Sequence, residues 1–368
     1  MQGPAPMLVL MVAAAVAGGL QGGFTDLFVY RHAGVNVLDG LPVYTSHDPV
    51  TGLPFTYPPF AAIVMVPLAL LPGWLAAALL TAVSVAALGA VVMLALGAYS
   101  RPTPGWLLAL LTVGALALEP VWQNLSFGQL NVLLMLAVVV DLVSPQRRWS
   151  GVLVGLAAGL KLTPLVFVVL LVLVGRRAAA GRAALAFAAT VAIGLVVLPG
   201  SAVTYWTEGL VDASRVGPPA LAHNQSVYGV LTRLLDHEPS MLLWLAVAGP
   251  VAGVTLVVAA RWWRAGDRVL GTGLGALAML LASPISWSHH WVWAVPLAVA
   301  LWERSRVAAT VWTAVFVARP VVWPPYGRGS EYHWSAVEQI AGSSYVIAAL
   351  SLTAWAAYAT TARRSCSR

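Results

Sequence analysis

Asp26 lies in the stretch from Gly22 to Pro59, the first long polar interruption in a chain that is otherwise largely apolar. It follows the first apolar run, at about 7–23, within a few residues. A carboxylate at the edge of a membrane segment costs free energy unless it is solvated or paired, so we treat Asp26 as a candidate catalytic base. The alternative is a helix cap, because Thr25 or Asp26 could cap a helix over Leu27–Leu38. Position alone leaves both roles open.

Lys161 is the only lysine among the 20 basic residues of the chain. It lies inside an apolar run, 151–174, that is interrupted by Lys161-Leu162-Thr163-Pro164. A lysine at the centre of a membrane helix costs roughly 2.5–3.5 kcal/mol on insertion scales. Its compact ammonium group suits a phosphate as a point-charge partner, which favours a phosphate-binding role. Alternatively, the side chain extends along the broken helix to a membrane interface.

Two amides, Gln129 and Asn131, end the segment Asn124-Leu-Ser-Phe-Gly-Gln-Leu-Asn131, which joins two apolar runs. Amides can bind the hydroxyl groups of a sugar, and Gly128 between them and the preceding run permits a tight turn. The same residues also serve as helix caps and turn residues, which is the alternative.

A second polar loop, 200–238, contains Asn224, Gln225 and Arg233. Amides, a guanidinium group and nearby aromatic rings together suit a glycan or an anionic lipid headgroup. Each of these residues could equally be an interfacial anchor.

The densest polar and aromatic segment is Ser283-Pro-Ile-Ser-Trp-Ser-His-His-Trp-Val-Trp293. His289 and His290 are adjacent, so on a helix they point about 100° apart and do not share one metal ion easily. A paired-histidine metal site uses i, i+4 spacing, which the segment does not supply. We therefore predict that one histidine faces the site, as a phosphate ligand or a proton carrier, that the other is structural, and that no metal is bound.

The composition predicts an all-α polytopic integral membrane protein: 60% of the 368 residues are hydrophobic and 9% are charged. The apolar runs are continuous rather than alternating, which excludes a transmembrane β-barrel. A single cysteine, Cys366, excludes a disulfide framework. The basic residues form short clusters between apolar runs, the pattern of cytoplasmic anchoring loops, so we expect no nucleic-acid partner.

Apolar runs predict the topology; they fall at about 7–23, 58–72, 74–98, 105–122, 130–144, 151–174, 182–199, 240–260, 269–282, 289–302, 305–323 and 340–361. The run at 58–72 is short for a span of ~20 residues, so we place it against the outer face. Proline within 151–174 predicts two short helices that enter the membrane and return. With these choices 14 arginines lie inside, five lie outside and Lys161 lies in the membrane, as the positive-inside rule requires. We predict one transmembrane domain over 1–368, with outer loops at 22–57 and 200–238.

Six motifs, in order, together resemble glycosyltransferase family 87, the polyprenyl-phosphate-mannose-dependent α-mannosyltransferases of the GT-C fold; they are FTDLFVY, LPFTYPPFAA, FGQLNVLL, GLAAGLKLTP, HNQSVYGVLTR and SPISWSHHWVW. The resemblance implies about 10–12 transmembrane helices and two juxtamembrane helices in the first outer loop, at Leu27–Leu38 and Pro58–Leu71. By motif position it implies that Asp26 is the catalytic base.

The resemblance also implies the partners. The donor is polyprenyl-phosphate-mannose and the acceptor is a lipid-linked mannoside of the phosphatidylinositol mannoside class, with α-1,2 transfer at the extracytoplasmic face of the plasma membrane. We predict that the donor phosphate is bound by Lys161, His289, His290 and Arg233. We predict that the substrates are bound by Tyr30, Tyr57, Gln129, Asn131, Asn224, Gln225 and Trp287. We expect no cofactor.

Several alternatives remain from the residues alone. Within the enzyme class, the acceptor could be lipomannan or lipoarabinomannan, or the donor could carry arabinofuranose. A flippase for lipid-linked sugars should show inverted repeats, and none is visible in the sequence. A purely structural assembly subunit would not need Asp26 and Lys161 to converge.

Overall fold

The computed structural model describes residues 23–144, 147–209 and 216–365. The first predicted membrane run, about 7–23, lies outside these residues apart from Gly23, and so do Arg215, Cys366 and Arg368. Within the described ranges the chain is helical and contains no β-strand, only isolated bridges. The predicted all-α fold class is confirmed.

The first half of the described chain forms nine helices; they are α1 (Thr25–Leu38), α2 (Pro59–Ala69), α3 (Gly73–Ala98), α4 (Gly105–Ala115), α5 (Glu119–Phe127), α6 (Asn131–Leu142), α7 (Val152–Leu160), α8 (Val166–Leu173) and α9 (Arg177–Val197). The second half contributes α10 (Pro199–Thr204), α11 (Val227–Leu235), α12 (Met241–Arg264), α13 (Arg268–Ala282), α14 (Ala294–Trp302), α15 (Arg306–Ala318), α16 (Ala336–Gly342) and α17 (Ser344–Ser365). A 3₁₀ turn, Ser288–Trp293, leads into α14.

Three of the described helices, α3, α9 and α12, are long and apolar enough to cross a membrane alone. Two bent pairs, α4 with α5 and α16 with α17, bring the number to five if each pair counts as one span. Shorter apolar helices, among them α2, α6 and α13, complete the set. The predicted 10–12 spans exceed these five among the described residues, because several of the predicted apolar runs form helices of 10–17 residues.

One apolar run is not the single helix that we predicted. The run 105–122 bends by 80° between α4 and α5. Pro120 is the second residue of α5, and it has no N–H to donate to the Leu116 carbonyl, so a helix cannot continue unbroken through it. Leu118, just before α5, is extended with ψ 126°. The bend turns α5 across the end of the bundle, where it packs on the 3₁₀ turn that carries the histidines.

The break at Lys161 is as predicted. Helix α7 ends at Leu160, Lys161 is extended, and a 3₁₀ turn at Thr163–Leu165 starts α8. Arg182 on α9 donates a hydrogen bond to the Ser150 carbonyl, 2.8 Å away, and it also acts electrostatically on Arg176 after α8. Both ends of the broken run therefore lie at the same end of the bundle, and Lys161 lies at the point of return.

Helices α1 and α2 and the start of α3 share a small core, separate from the main helical core. Leu27 and Tyr30 of α1 pack there with Met65 of α2 and Leu80 of α3. Gly34 lets α1 approach α2 closely, since a Cβ at this position would lie 2.9 Å from the Met65 carbonyl oxygen. The two helices predicted at Leu27–Leu38 and Pro58–Leu71 are present as α1 and α2, and their shared core supports the first turn of α1.

Candidate active site

Asp26 lies in the first turn of α1 but does not cap it. The helix follows Phe24, which has φ 47°, and no side chain makes a capping hydrogen bond there. The capping alternative is therefore wrong for Asp26. Protein surrounds its carboxylate while leaving part of the side chain accessible, as expected of a residue that lines a site rather than a core.

Gly128 brings the Gln129 segment against α1. It ends α5 in the left-handed conformation, with φ 68°, which glycine adopts at little cost. A Cβ at this position would lie 2.8 Å from the Leu27 Cβ atom. The Phe24 amide donates to the Ser126 carbonyl, 3.1 Å away, and joins the two segments. This close approach places the Gln129 side chain beside Asp26.

Gln129 connects the carboxylate to two tyrosines. The hydroxyl groups of Tyr30 and Tyr57 donate to Gln129 Oε1 at 2.9 Å and 3.2 Å. Tyr30 and Tyr57 also contact each other, with 2.9 Å between their hydroxyl oxygens. With Oε1 occupied as an acceptor, the amide nitrogen of Gln129 is the donor to the Asp26 carboxylate. The orientation of the carboxylate is thus fixed by a side chain that is itself fixed.

Lys161 is held next to this group by Asn131 and His290. Its ammonium donates to Asn131 Oδ1 at 2.9 Å and lies 2.8 Å from His290 Nε2. An ammonium is only a donor, so Nε2 of His290 is the acceptor and is unprotonated in this arrangement. The ammonium also lies 5.6 Å from the centre of the Tyr57 ring and interacts electrostatically with Asp26. A cation and a carboxylate therefore face one site.

The two histidines have different surroundings. His290 contacts Lys161, whereas Nε2 of His289 is buried without a hydrogen-bond partner in the described part of the chain. The His289 carbonyl accepts from the Asn131 amide at 3.2 Å, which ties the 3₁₀ turn to the start of α6. Among the described residues no group of three or more His, Cys, Asp or Glu side chains could hold a metal, and the expectation of a metal-free reaction stays a prediction.

Burial of the Asp26 carboxylate changes its acidity. Loss of solvent raises the pKa of Asp26 to about 6, and this effect outweighs the hydrogen bond from Gln129 and the charge of Lys161, which lower the pKa. A base with a pKa near 6 is largely ionised at neutral pH and accepts a proton more readily than an ordinary aspartate. The environment thus suits general-base catalysis.

An apolar groove of about 280 Å³ lies beside Lys161. It is lined only by apolar side chains from α2, α3, the end of α5–α6 and α7; they are Val64, Met65, Leu68, Leu79, Leu80, Val83, Leu130, Leu133, Leu134 and Leu160. Leu160 directly precedes Lys161, and Leu130 lies between Gln129 and Asn131. The groove therefore lies next to the polar cluster.

A sequence model of glycosyltransferase family 87 matches residues 55–284, more than half of the chain. The chain belongs to glycosyltransferase family 87. The family confirms the enzyme class and the multi-pass membrane character that the sequence predicted. No solved structure matches the chain significantly.

Curated relatives of this family 87 chain have specific names. A Mycobacterium tuberculosis (strain CDC 1551 / Oshkosh) protein named polyprenol-phosphate-mannose-dependent alpha-(1-2)-phosphatidylinositol pentamannoside mannosyltransferase is 38% identical, over 95% of this chain and 86% of the relative. A Mycolicibacterium smegmatis protein with the same name is 37% identical, over 91% and 85%. A protein of M. tuberculosis strain H37Rv, named as a phosphatidylinositol mannoside mannosyltransferase with the same donor and linkage, is 36% identical, over 92% and 85%.

Four other predicted residues of the family 87 chain bond mainly to main-chain groups. Asn224 and Gln225 are buried, and their amides bond to main-chain groups such as the carbonyls of Pro284 and Gly342. The Arg233 guanidinium is also buried and donates to the Asn224 carbonyl at 3.1 Å. Trp287 forms an isolated bridge with Asn224. These contacts favour a structural role, and a direct role in phosphate or sugar binding stays a prediction.

Glu119 is a buried residue of the family 87 chain that the sequence reasoning missed. It accepts from the Ser288 hydroxyl at 2.7 Å and from the Tyr345 hydroxyl at 2.9 Å. Ser288 directly precedes the two histidines, so Glu119 anchors their 3₁₀ turn to α5. The available signal was a carboxylate followed by proline within an apolar run.

Proposed function

We propose that the chain transfers mannose from polyprenyl-phosphate-mannose to a phosphatidylinositol mannoside, with inversion, to form an α-1,2 linkage. The names of the relatives support this donor, linkage and class of acceptor. One observation carries the proposal at the level of the site. The Asp26 carboxylate, held by Gln129, interacts with the Lys161 ammonium in one site, next to an apolar groove.

Asp26 acts as the base in this reaction. The acceptor hydroxyl attacks the anomeric carbon of the donor, and its proton passes to the Asp26 carboxylate. Gln129 holds the carboxylate in position, and Tyr30 and Tyr57 fix Gln129 in turn. The positioning of a base and a nucleophile in this way lowers the entropic barrier to attack.

Lys161 stabilises the leaving phosphate. As the bond from the anomeric carbon to the phosphate oxygen breaks, its electron pair stays on that oxygen, and the phosphate gains negative charge. An ammonium already fixed by Asn131 and His290 stabilises this charge with little reorganisation. The hydroxyl attacks from the face opposite to the leaving phosphate, so a β-linked donor gives an α-linked product.

The polyprenyl chain of the donor enters the apolar groove. Its lining offers hydrocarbon alone, which suits an isoprenoid and excludes a sugar. The volume is near the lower limit of ligand pockets, about 300–1,000 Å³, so the groove holds only the part of the chain next to the phosphate. The rest of the lipid lies in the bilayer.

We place the site at the extracytoplasmic face of the plasma membrane. Lys161 and His290 lie near the C-terminal ends of α7 and α13, whereas Arg182 and Arg268 lie near the opposite end. Basic clusters mark the cytoplasmic side of membrane proteins, so the arginine end faces the cytoplasm. The site then faces outward, toward the lipid-linked sugar.

The proposed activity can be tested with membranes or purified protein and radiolabelled polyprenyl-phosphate-mannose. We expect label in a larger glycolipid when a phosphatidylinositol mannoside is supplied, and none when the acceptor is lipomannan. A polyprenyl-phosphate-arabinofuranose donor should give no product. Transfer of arabinofuranose, or of mannose to lipomannan alone, would contradict the proposed substrates. Mapping of the product with a linkage-specific mannosidase checks the α-1,2 bond.

The pH dependence of transfer tests the base. Because the pKa of Asp26 is raised to about 6, kcat/KM should be half-maximal near pH 6 and fall about tenfold for each further unit of acidification. Protonation removes the base, so the loss occurs on the acid side. Thermal stability measured at each pH controls for unfolding. An acid limb centred near pH 4 would indicate a solvated carboxylate instead.

A further inference from the structure

Two arginines converge on one tryptophan at the end of the bundle away from the catalytic site. The guanidinium carbons of Arg176 and Arg268 lie 5.6 Å and 5.2 Å from the centre of the Trp263 ring. Arg176 follows α8, Arg268 begins α13, and Trp263 lies in the last turn of α12. Three separate chain segments thus place two like charges around one ring.

Neither guanidinium has a carboxylate partner among the described residues. The ion pairs in these ranges join Arg101 to Glu303 and Arg304 to Asp267. Asp267 adjoins Arg268 in sequence, but its oxygens accept from Arg304 at 2.6 Å and from the Tyr99 hydroxyl at 2.6 Å. The acidic group nearest in sequence is therefore occupied by other partners.

This excess of positive charge affects the pKa of Arg176. Partial burial, followed by the charges of Arg268 and Arg182, lowers the pKa of Arg176 below its usual range. The Arg268 guanidinium donates to the Ser144 carbonyl at 3.2 Å, and Arg182 donates to the Ser150 carbonyl. These carbonyls occupy one donor of each side chain and leave its charge uncompensated.

The tryptophan adds an unused donor. Trp263 is 9% exposed, and its indole nitrogen is buried without a hydrogen-bond acceptor in the described part of the chain. A buried N–H without an acceptor costs about 1–3 kcal/mol, so such groups are usually satisfied by protein, water or ligand. Two guanidinium groups and an indole N–H together supply several donors, and the Ser144 carbonyl, bound to Arg268, is the one acceptor found for these side chains among the described residues.

We propose that Arg176, Arg268 and Trp263 form a binding site for a phosphate group. Arginine binds phosphate through several hydrogen bonds at once, and the indole N–H supplies a further donor. The ligand is an anionic phospholipid headgroup or a soluble phosphate, and the apolar surroundings favour the lipid. Val172, close in sequence to Arg176, is 50% exposed and offers apolar surface for an acyl chain.

This site is separate from the catalytic centre. Helix α13 has 15 residues, from Arg268 to Ala282 just before the loop that leads to the histidines, so about 21 Å of helix separates the two sites. Ordinary anchoring arginines extend singly into solvent or headgroups. Here the guanidinium groups converge on a partly enclosed ring, which indicates recognition rather than general attraction.

Binding can be measured on the full-length protein in a detergent with a neutral headgroup. Phosphatidylglycerol, phosphatidylcholine and inorganic phosphate are titrated separately, with retained lipid counted by native mass spectrometry and the thermal midpoint recorded. We expect saturable binding of phosphatidylglycerol and none of phosphatidylcholine. Stabilisation by inorganic phosphate at an equal or lower concentration would support the site and assign it to a soluble phosphate.

Amino-acid substitutions distinguish a specific binding site from non-specific attraction by positive charge. Arg176→Gln and Arg268→Gln should each raise the half-saturating concentration of phosphatidylglycerol about fivefold. Trp263→Phe keeps the ring and removes the N–H, and it should raise that concentration by a smaller factor. Arg261→Gln is the matched control, because Arg261 is an exposed arginine of the same helical turn.

Two results would overturn the proposal. One is equal weakening by Arg261→Gln and Arg176→Gln, which would mean non-specific attraction. The other is binding of phosphatidylcholine as strongly as phosphatidylglycerol. If Arg268→Gln does not fold, the comparison of Arg176→Gln with Arg261→Gln still decides. The Asp26→Asn variant should bind phosphatidylglycerol like the unmodified protein, so the outcome does not depend on the proposed reaction.

Discussion

Replacement of Asp26 by asparagine is expected to reduce mannosyl transfer by a factor between about 10² and 10⁴, the usual contribution of a general base. Asparagine has nearly the same shape and can still contact Gln129, but it cannot accept the proton of the acceptor hydroxyl. The loss should appear in kcat, since the donor and the acceptor still bind. Radiolabel transfer with purified protein at saturating concentrations of both substrates measures it.

The same substitution should not lower the stability of the folded protein. The pKa of Asp26 is about 6 when folded and 3.8 in its usual state, so the folded protein binds more protons between these values. Stability therefore falls as the pH rises through this window, and above pH 6 the ionised carboxylate costs about 3 kcal/mol. A neutral amide removes this cost. The thermal midpoint at pH 7.5 should be unchanged or higher.

A matched control is available in the same helix segment. Asp39 follows α1 and is exposed, so Asp39→Asn removes a negative charge from the same loop without touching the site. It should leave transfer within about twofold, because surface substitutions away from such features have small effects. Turnover of Asp26→Asn within tenfold of the unmodified protein would remove Asp26 as the base.

The break at Lys161 could be predicted because its cause is local. Proline restricts the residue before it and cannot donate within a helix, and both effects are readable from Lys161-Leu162-Thr163-Pro164. Likewise, α2 follows from a short apolar run bounded by Pro58-Pro59 and Pro72. The bend at Glu119 has the same origin. It was not predicted because the residues on both sides are apolar, so hydrophobicity alone shows one continuous run.

The partners of polar residues could not be predicted in this way. Arg233 and Lys161 are both cations within polar or broken segments, yet one bonds to main-chain carbonyls and the other faces Asp26. The difference depends on which helices meet in space, and that depends on long-range packing. The convergence of Gln129 with Tyr30 and Tyr57 has the same dependence, since 99 and 72 residues separate these partners.

Replacement of Lys161 by methionine is expected to reduce transfer by about 10²–10³-fold, the usual effect of removing one group that stabilises developing charge. Methionine preserves much of the volume and removes the ammonium group. The loss should be larger for donor use than for acceptor use, because only the donor carries the phosphate. Measurement of kcat/KM for each substrate in turn gives the two values.

A basic residue with a structural role provides a control for Lys161. Arg31 on α1 donates to the carbonyls of Leu68 and Leu71, at 3.1 Å and 2.7 Å, and so joins α1 to the end of α2. Arg31→Met should lower the thermal midpoint and affect the use of donor and acceptor equally. If Lys161→Met shows this same pattern, Lys161 is structural and the phosphate role is wrong.

The acid limb of the pH profile gives an independent readout of Lys161. The ammonium lowers the pKa of Asp26 by its charge, so its removal should move the acid limb of the residual activity above pH 6. Lys161→Arg keeps a positive charge and should leave the limb near pH 6 even if the rate falls, since a guanidinium does not reproduce the geometry of the ammonium. A limb that stays in place in Lys161→Met would mean that the two groups do not interact. The proposal that the base and the cation interact in one site would then be wrong, whatever the rates of the variants.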